Sequence, residues 1–393
     1  YNSLTIHNPS EIHTTLSSFL SFSFSSSSSS SSNQAAMSQQ PPIVIFHYTG
    51  SAYCMKVLWA LQFKGLGYHS VFVAPVLPRP EVEALAHGYR KVPVMSIGAD
   101  VYCDTKRILQ ELENRFPEPS LYPPRTGTSD KIDRGVTDVI SFWTDVIISL
   151  KITCITQCST TNALFCFTNA HLSSHPLSSP EHHLPSRRCP HALYRPHFQQ
   201  SPVPPGPRQP FRSLAAQPAV KEQLLPHLHT IEKQLADGRI WLLDTAVPGL
   251  ADIHVAMNVW FVEFLGKNAV AAKVPGGARD VFNPQTFPRT FEWIKRFNEY
   301  IDARKVKVTK CAGAEALEFA RQNPPAELRA GTGLFRSGQR VSVVPTDYGK
   351  IPVKGTLVKM DEAEIVVRNE GEGVPVHIHF PRIGFVVSPE ANL

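Results

Sequence analysis

Gly88-Tyr-Arg-Lys-Val-Pro-Val94, followed closely by Ala99-Asp-Val-Tyr-Cys-Asp-Thr105, decides the fold of this 393-residue chain. In the first segment Val92-Pro93 follows a turn and opens a strand. A cis peptide bond there would offer the N–H and C=O of Val92 to an extended peptide. An edge-strand proline is the plainer alternative. In the second segment Asp104-Thr105 opens a helix. Backbone N–H groups beside a hydroxyl suit a carboxylate, and an acid suits an ammonium. A simple capping pair explains the same two residues.

The elements around these segments follow one order. Residues 43–48 read as a strand, and residues 55–64 as a helix with Val57, Leu58 and Leu61 on one face. Residues 68–74 read as a second strand, and 92–97 with 100–103 as a hairpin about Gly98. Residues 105–116 form a helix stopped by Pro117. This β-α-β, β-β-α order is the thioredoxin-like layout.

Helical patterns follow at residues 129–150, 220–235, 250–265 and 288–301. Gly249 stands at the cap of the third with Asp252 three residues on, a weakened capping box. Trp293, Phe297 and Ile301 mark one face of the fourth. From residue 340 the period changes to that of short strands, at 340–344, 353–360, 364–368, 374–380 and 385–387. Their density suggests a small separate SH3-like β-barrel over residues 335–390. His377-x-His379 alternates with Val376, Ile378 and Phe380 and is expected on an outward polar face. Residues 304–334 read as a basic linker carrying one short helix.

Two stretches lack these patterns. Residues 1–41 hold the serine run 25–32, with no Lys or Arg before Met37, and fit neither a secretory nor a mitochondrial signal. A disordered leader, or translated upstream sequence, is expected there. Residues 151–216 are rich in Ser, Pro, His and Cys without apolar periodicity. They are expected to be a disordered insert or a gene-model error. Cys154, Cys158, His171 and His175 have zinc-finger spacing, but the apolar positions of a finger are missing, so no metal is expected.

Composition narrows the function. The net charge of +6 is mild, and from Arg336 onward seven acidic residues balance seven basic ones, which argues against nucleic acid. No apolar run reaches the roughly 18 residues of a membrane span. Seven cysteines without a regular framework favour a reducing compartment, here the cytoplasm.

Three residues beside the first helix are candidates for thiol chemistry. Ser51-Ala52-Tyr53-Cys54 places a hydroxyl at a helix N-terminus, where free N–H groups favour a thiolate. Ser51 could donate a hydrogen bond to that thiolate, or simply cap the helix. Tyr48 is a second candidate hydroxyl. Cys54 is the third; it occupies the second position of a redox C-x-x-C, with Ser51 at the first.

Taken together, residues 42–121 resemble the glutathione transferase N-terminal domain, especially its fungal members. The resemblance rests on the two quoted segments, with Gly249-Leu-Ala-Asp-Ile253 and residues 288–300 similar to parts of the family's helical second domain. It implies a thioredoxin-like α/β domain at 42–124 and an all-α domain at 128–303, interrupted by the insert. It also implies Ser51 as the thiol-activating hydroxyl, Val92 as backbone partner of the cysteinyl unit and Pro93 as the cis proline. Asp104 and Thr105 become contacts for the γ-glutamyl group, which carries both an ammonium and a carboxylate. The implied activity is conjugation of glutathione, as co-substrate, to a small electrophile by a homodimer. A non-catalytic scaffold docking a protein partner through the barrel, and a glutathione-dependent thiol transferase, are the alternatives. Ala52 departs from the proline that usually follows the serine.

Overall fold

The computed structural model describes residues 40–148, 217–271, 282–347, 349–369 and 373–390. The bulk of the Ser-rich leader, the insert at 151–216 and the four zinc-finger candidates lie outside the described residues.

The N-terminal elements are β1 (Ile43–His47), α1 (Ala52–Phe63), β2 (Tyr68–Phe72), α2 (Pro80–Ala86), β3 (Val94–Ile97), β4 (Asp100–Cys103) and α3 (Thr105–Arg115). β1 pairs in parallel with β2 and antiparallel with β3, and β3 pairs antiparallel with β4. This is the expected thioredoxin-like sheet. Helix α2, which the periodicity missed, is only seven residues long, with Pro80 in its first turn.

β1 shows why the sheet is covered on both faces. Ile43 and Ile45 enter one core, while Val44 and Phe46 enter another. A strand buried on both sides needs such a continuous apolar run. The first core lies against α1, α3 and the helical region. That region comprises α4 (Arg134–Phe142), a π-helical turn (Trp143–Ile148), α5 (Gln217–Gln234), α6 (Leu250–Ala271) and α7 (Pro288–Asp302). α1 is apolar around most of its circumference, as befits a helix wedged between sheet and helices. Its Trp59 meets Trp260 and Phe297 edge-on, with ring centroids 6.2 and 5.2 Å apart.

Asp252 at the start of α6 fixes the helical region. Its buried carboxylate accepts from Gly249 N at 2.9 Å, Leu242 N at 3.0 Å and Trp293 Nε1 at 2.9 Å. The weakened capping box of the sequence is therefore a three-way junction between α6, the preceding loop and α7.

The remaining elements are β5 (Val308–Lys310), α8 (Gly313–Gln322), β6 (Arg340–Pro345), β7 (Val353–Met360), β8 (Glu364–Asn369), β9 (Val376–Pro381) and β10 (Phe385–Pro389). β5 adds in parallel to β2, so a stretch near the start of the expected linker is an edge strand. The five C-terminal strands fall where the alternation places them, but they differ from the expected separate barrel. They form a strand-rich sheet that continues the first one, in the order β10-β6-β7-β8-β9-β4-β3-β1-β2-β5. β9 lies parallel to β4, with Asp100 opposite His377 and Tyr102 opposite His379. The described residues from Pro42 onward accordingly fall in one compact unit.

The physical reason is that β4 would otherwise end the sheet with unpaired N–H and C=O groups. The alternation of β9 serves this junction. Val376, Ile378 and Phe380 join the second core. The expectation of an outward His377 and His379 is corrected: both are buried, on the face covered by α3. There His379 stacks on Tyr102, with centroids 4.5 Å apart, and Arg107 of α3 pairs with Glu364 of β8 at 2.7 Å.

Candidate functional site

α1 begins at the carboxyl end of β1, and Ser51 caps it. The Ser51 Oγ accepts from Cys54 N at 3.3 Å, and Ser51 is buried. Its capping role and its expected thiol-activating role use the same oxygen. Cys54 is buried too, and burial pushes its thiol up to about 11 despite a hydrogen bond with Ser51. Tyr48 is half-buried beside Arg79, whose guanidinium lies 5.6 Å from the ring centroid. Burial is the largest influence raising its hydroxyl pKa.

The proline turn and the acid–hydroxyl pair come together at one cleft. The Val92–Pro93 bond is cis. Val94 pairs with Cys103 in the β3–β4 hairpin, which sets Asp104 and Thr105 next to the turn. Asp104 has φ +74, a backbone region that L side chains rarely adopt, and its carboxylate accepts from Lys106 N at 3.0 Å. Burial raises its pKa above the ordinary carboxylate value, against the pull of that hydrogen bond.

Val92, Pro93, Asp104 and Thr105 line one cleft of about 320 Å³. Four of the seven candidate residues are thus brought together. Ser51, Tyr48 and Cys54 are not among the residues that line the cleft. Tyr53 is the residue of the α1 start that faces the cleft, and its hydroxyl donates to Asp145 O at 3.2 Å. Asp145, at the π-helical turn, also pairs with the fully buried Lys56.

Sequence reasoning missed Tyr53, Lys91, Lys106 and Asp145. Lys91 sits inside the quoted proline-turn segment, so its position was available; its direction was not. It also missed Asp347 and Ile383, which reach the cleft from the C-terminal sheet. No local pattern joins those to residues about 90–105, because the junction is made by β4 and β9.

Among the described residues, no cluster of His, Cys, Asp and Glu is arranged to hold a metal ion. None of the described helices is long and apolar enough to cross a membrane.

Sheet order, cleft and helical region together are similar to those of glutathione-S-transferase-like proteins. Residues 45–120 match the family "Glutathione S-transferase, N-terminal domain". Residues 215–306 match a domain of unknown function, DUF7962. A GST-like protein from Pseudomonas syringae is similar in structure, with a TM-score of 0.61 and 25% identity, covering 88% of this chain and 99% of its own. FzlA from C. crescentus gives a TM-score of 0.44 at 18% identity, covering 66% of this chain and 89% of its own. The Tau class glutathione S-transferase of mango, Mangifera indica, gives 0.43 at 14% identity, covering 72% and 98%. No curated protein sequence matches the chain.

Proposed function

We propose that this protein binds glutathione in the cleft at the proline turn and conjugates its sulfur to a small electrophile. The observation that carries this is the convergence of Val92, cis-Pro93, Asp104 and Thr105 on one cleft. The backbone of Val92 pairs with the cysteinyl unit, as an extended peptide pairs with a strand edge. The N–H groups at the start of α3 other than that of Lys106, with the Thr105 hydroxyl, take the γ-glutamyl carboxylate, and Asp104 takes its ammonium. This sets the sulfur toward the N-terminus of α1, whose positive end and the Ser51 hydroxyl favour the thiolate. The thiol proton leaves to solvent, and the sulfur lone pair forms the new C–S bond while the electrophile's leaving group, such as a halide, departs with the electron pair of the bond it breaks.

Burial of Cys54, which pushes its thiol pKa up, speaks against the thiol-transferase alternative. That chemistry needs a protein thiolate to attack a mixed disulfide. A homodimer in the cytoplasm completes the proposal, on the likeness of the N-terminal domain.

Calorimetric titration of the protein with glutathione tests the binding. Heat saturating at millimolar ligand or below is expected, and a folded sample giving none would sink it. A chromogenic electrophile then separates conjugation from the scaffold alternative, for which binding would persist without turnover.

A further inference from the structure

The third wall of the cleft comes from neither the thioredoxin-like sheet nor the helical region. It is the loop after β6, at Thr346 and Asp347, with the β9–β10 turn at Ile383 and Gly384. The loop is pinned in place. Thr346 N donates to Gly384 O at 3.0 Å, and Thr346 Oγ1 donates to the same oxygen at 3.3 Å. Further along, Ile351 and Pro352 pack over Gly88 of the proline turn, where an added Cβ would lie 3.5 Å from the Ile351 Cγ2.

This anchoring carries Asp347 over Lys91. Lys91 Nζ donates to both carboxylate oxygens of Asp347, at 2.7 and 2.9 Å. The lysine side chain is 13% exposed and the aspartate 53%. Lys91 directly precedes Val92 and lines the same cleft, so a peptide pairing antiparallel to this segment meets it with its carboxyl end. A tripeptide paired to Val92, with its amino end at Asp104–Thr105, therefore directs its carboxyl end toward Lys91. The group that meets Lys91 first is the protein's own carboxylate.

We propose that Asp347 is a built-in competitor for the terminal carboxylate of the thiol peptide, and so sets the affinity and ligand preference of the cleft. The inference rests on the glutathione reading above. Admission of a free terminal carboxylate requires Lys91 to exchange Asp347 for the ligand. A ligand whose end is neutral leaves the Lys91–Asp347 pair intact. The exchange is feasible because a pair whose carboxylate is half exposed is weak.

The test is titration of the full chain, as wild type, Asp347→Asn and Asp347→Ser, with glutathione and with its glycine ethyl ester. Both substitutions sit at a half-exposed loop position, and a thermal melt checks that they fold. Removal of the competing charge is expected to tighten glutathione by about fivefold or more, which matches the strength of one partly exposed pair. The ester is expected to bind all three proteins equally. Equal or weaker glutathione binding by both variants overturns the proposal. So does an equal gain for the ester, which would mean that the loop merely opens. Wild-type binding with no gain overturns this inference alone; absence of binding in all three proteins overturns the glutathione reading as well.

Discussion

His379 Nε2 lies 3.2 Å from Asp100 Oδ1 although 279 residues separate the two in sequence. The other nitrogen, Nδ1, lies 3.0 Å from Glu364 Oε2. One imidazole thus bridges the strand that ends the thioredoxin-like sheet and the strands that extend it. Arg107, Glu111, Arg115 and Tyr102 on the α3 side complete the buried network. Lys359 reaches Glu364 from β7 at 2.8 Å.

Stability should depend on pH through this bridge. Burial opposes the His379 imidazolium, but the hydrogen bonds with Asp100 and Glu364 outweigh it and raise the pKa above 6.5. A raised imidazole contributes fully below its unfolded value and loses that contribution as pH climbs through the folded value. Burial likewise opposes the Glu364 carboxylate, yet His379 and Arg107 hold its pKa below 4.5. That contribution is present above 4.5 and lost as pH falls. His377, whose imidazolium burial disfavours, works against stability in acid. Both favourable contributions are complete between about pH 4.5 and 6.5. His379→Gln should lower the unfolding free energy by about 3 kcal/mol, since it leaves two buried carboxylates short of a partner. It should also flatten the decline above pH 6.5. Urea unfolding at pH 6 and pH 8.5 reads both effects, and an unchanged slope would remove His379 from the account.

Ser51→Ala should separate two roles of one oxygen. Loss of the cap to Cys54 N should cost about 1 kcal/mol of stability. If Ser51 also stabilises the bound thiolate, conjugation turnover falls tenfold or more while glutathione affinity stays within a few-fold. Turnover equal to wild type would leave Ser51 as a cap and move attention to Tyr53, which faces the cleft.

Cys54 should be inert. With its thiol pushed up to about 11, roughly one molecule in ten thousand carries the thiolate at pH 7. Peptide mapping after brief iodoacetamide treatment should find Cys311, the more exposed thiol, alkylated well before Cys54. Cys54→Ala should retain conjugation, and its failure to do so would restore the thiol as a catalytic candidate.

Asp104→Gly should uncouple binding from stability. Glycine accepts φ +74 without the cost of about 1–3 kcal/mol borne by a side chain there, while loss of the cap costs a few tenths. The variant is expected to be at least as stable as wild type and to bind glutathione at least tenfold more weakly. Calorimetry beside a urea melt checks both, and retained affinity would remove Asp104 from the ligand site.

The parts of this fold that were legible in sequence are those whose signal is local. The proline turn, the Asp104–Thr105 helix start, the Gly249–Asp252 cap and each C-terminal strand announce themselves within a few residues. Pairing of β9 with β4 does not, because alternation along β9 says which residues share a face and nothing about which strand lies beside it. That gap made His377 and His379 look solvent-facing, and it hid Asp347 from the cleft. Ser51, Tyr48 and Cys54 lie around the start of α1. Which side chain there turns into the cleft depends on helix phase, and that favours Tyr53.

The seam between β4 and β9 also orders events during synthesis. Residues 43–103 leave the ribosome well before residues 376–381, and domains generally fold as they emerge. Over that interval β4 offers a bare strand edge to any neighbouring chain. A transcript cut short after α7 would therefore encode a polypeptide that keeps Val92, Asp104 and Thr105 but carries an adhesive border. The strands at the carboxyl end act as a late-arriving stopper, and nascent chains on one polysome have reason to be kept apart until it is in place.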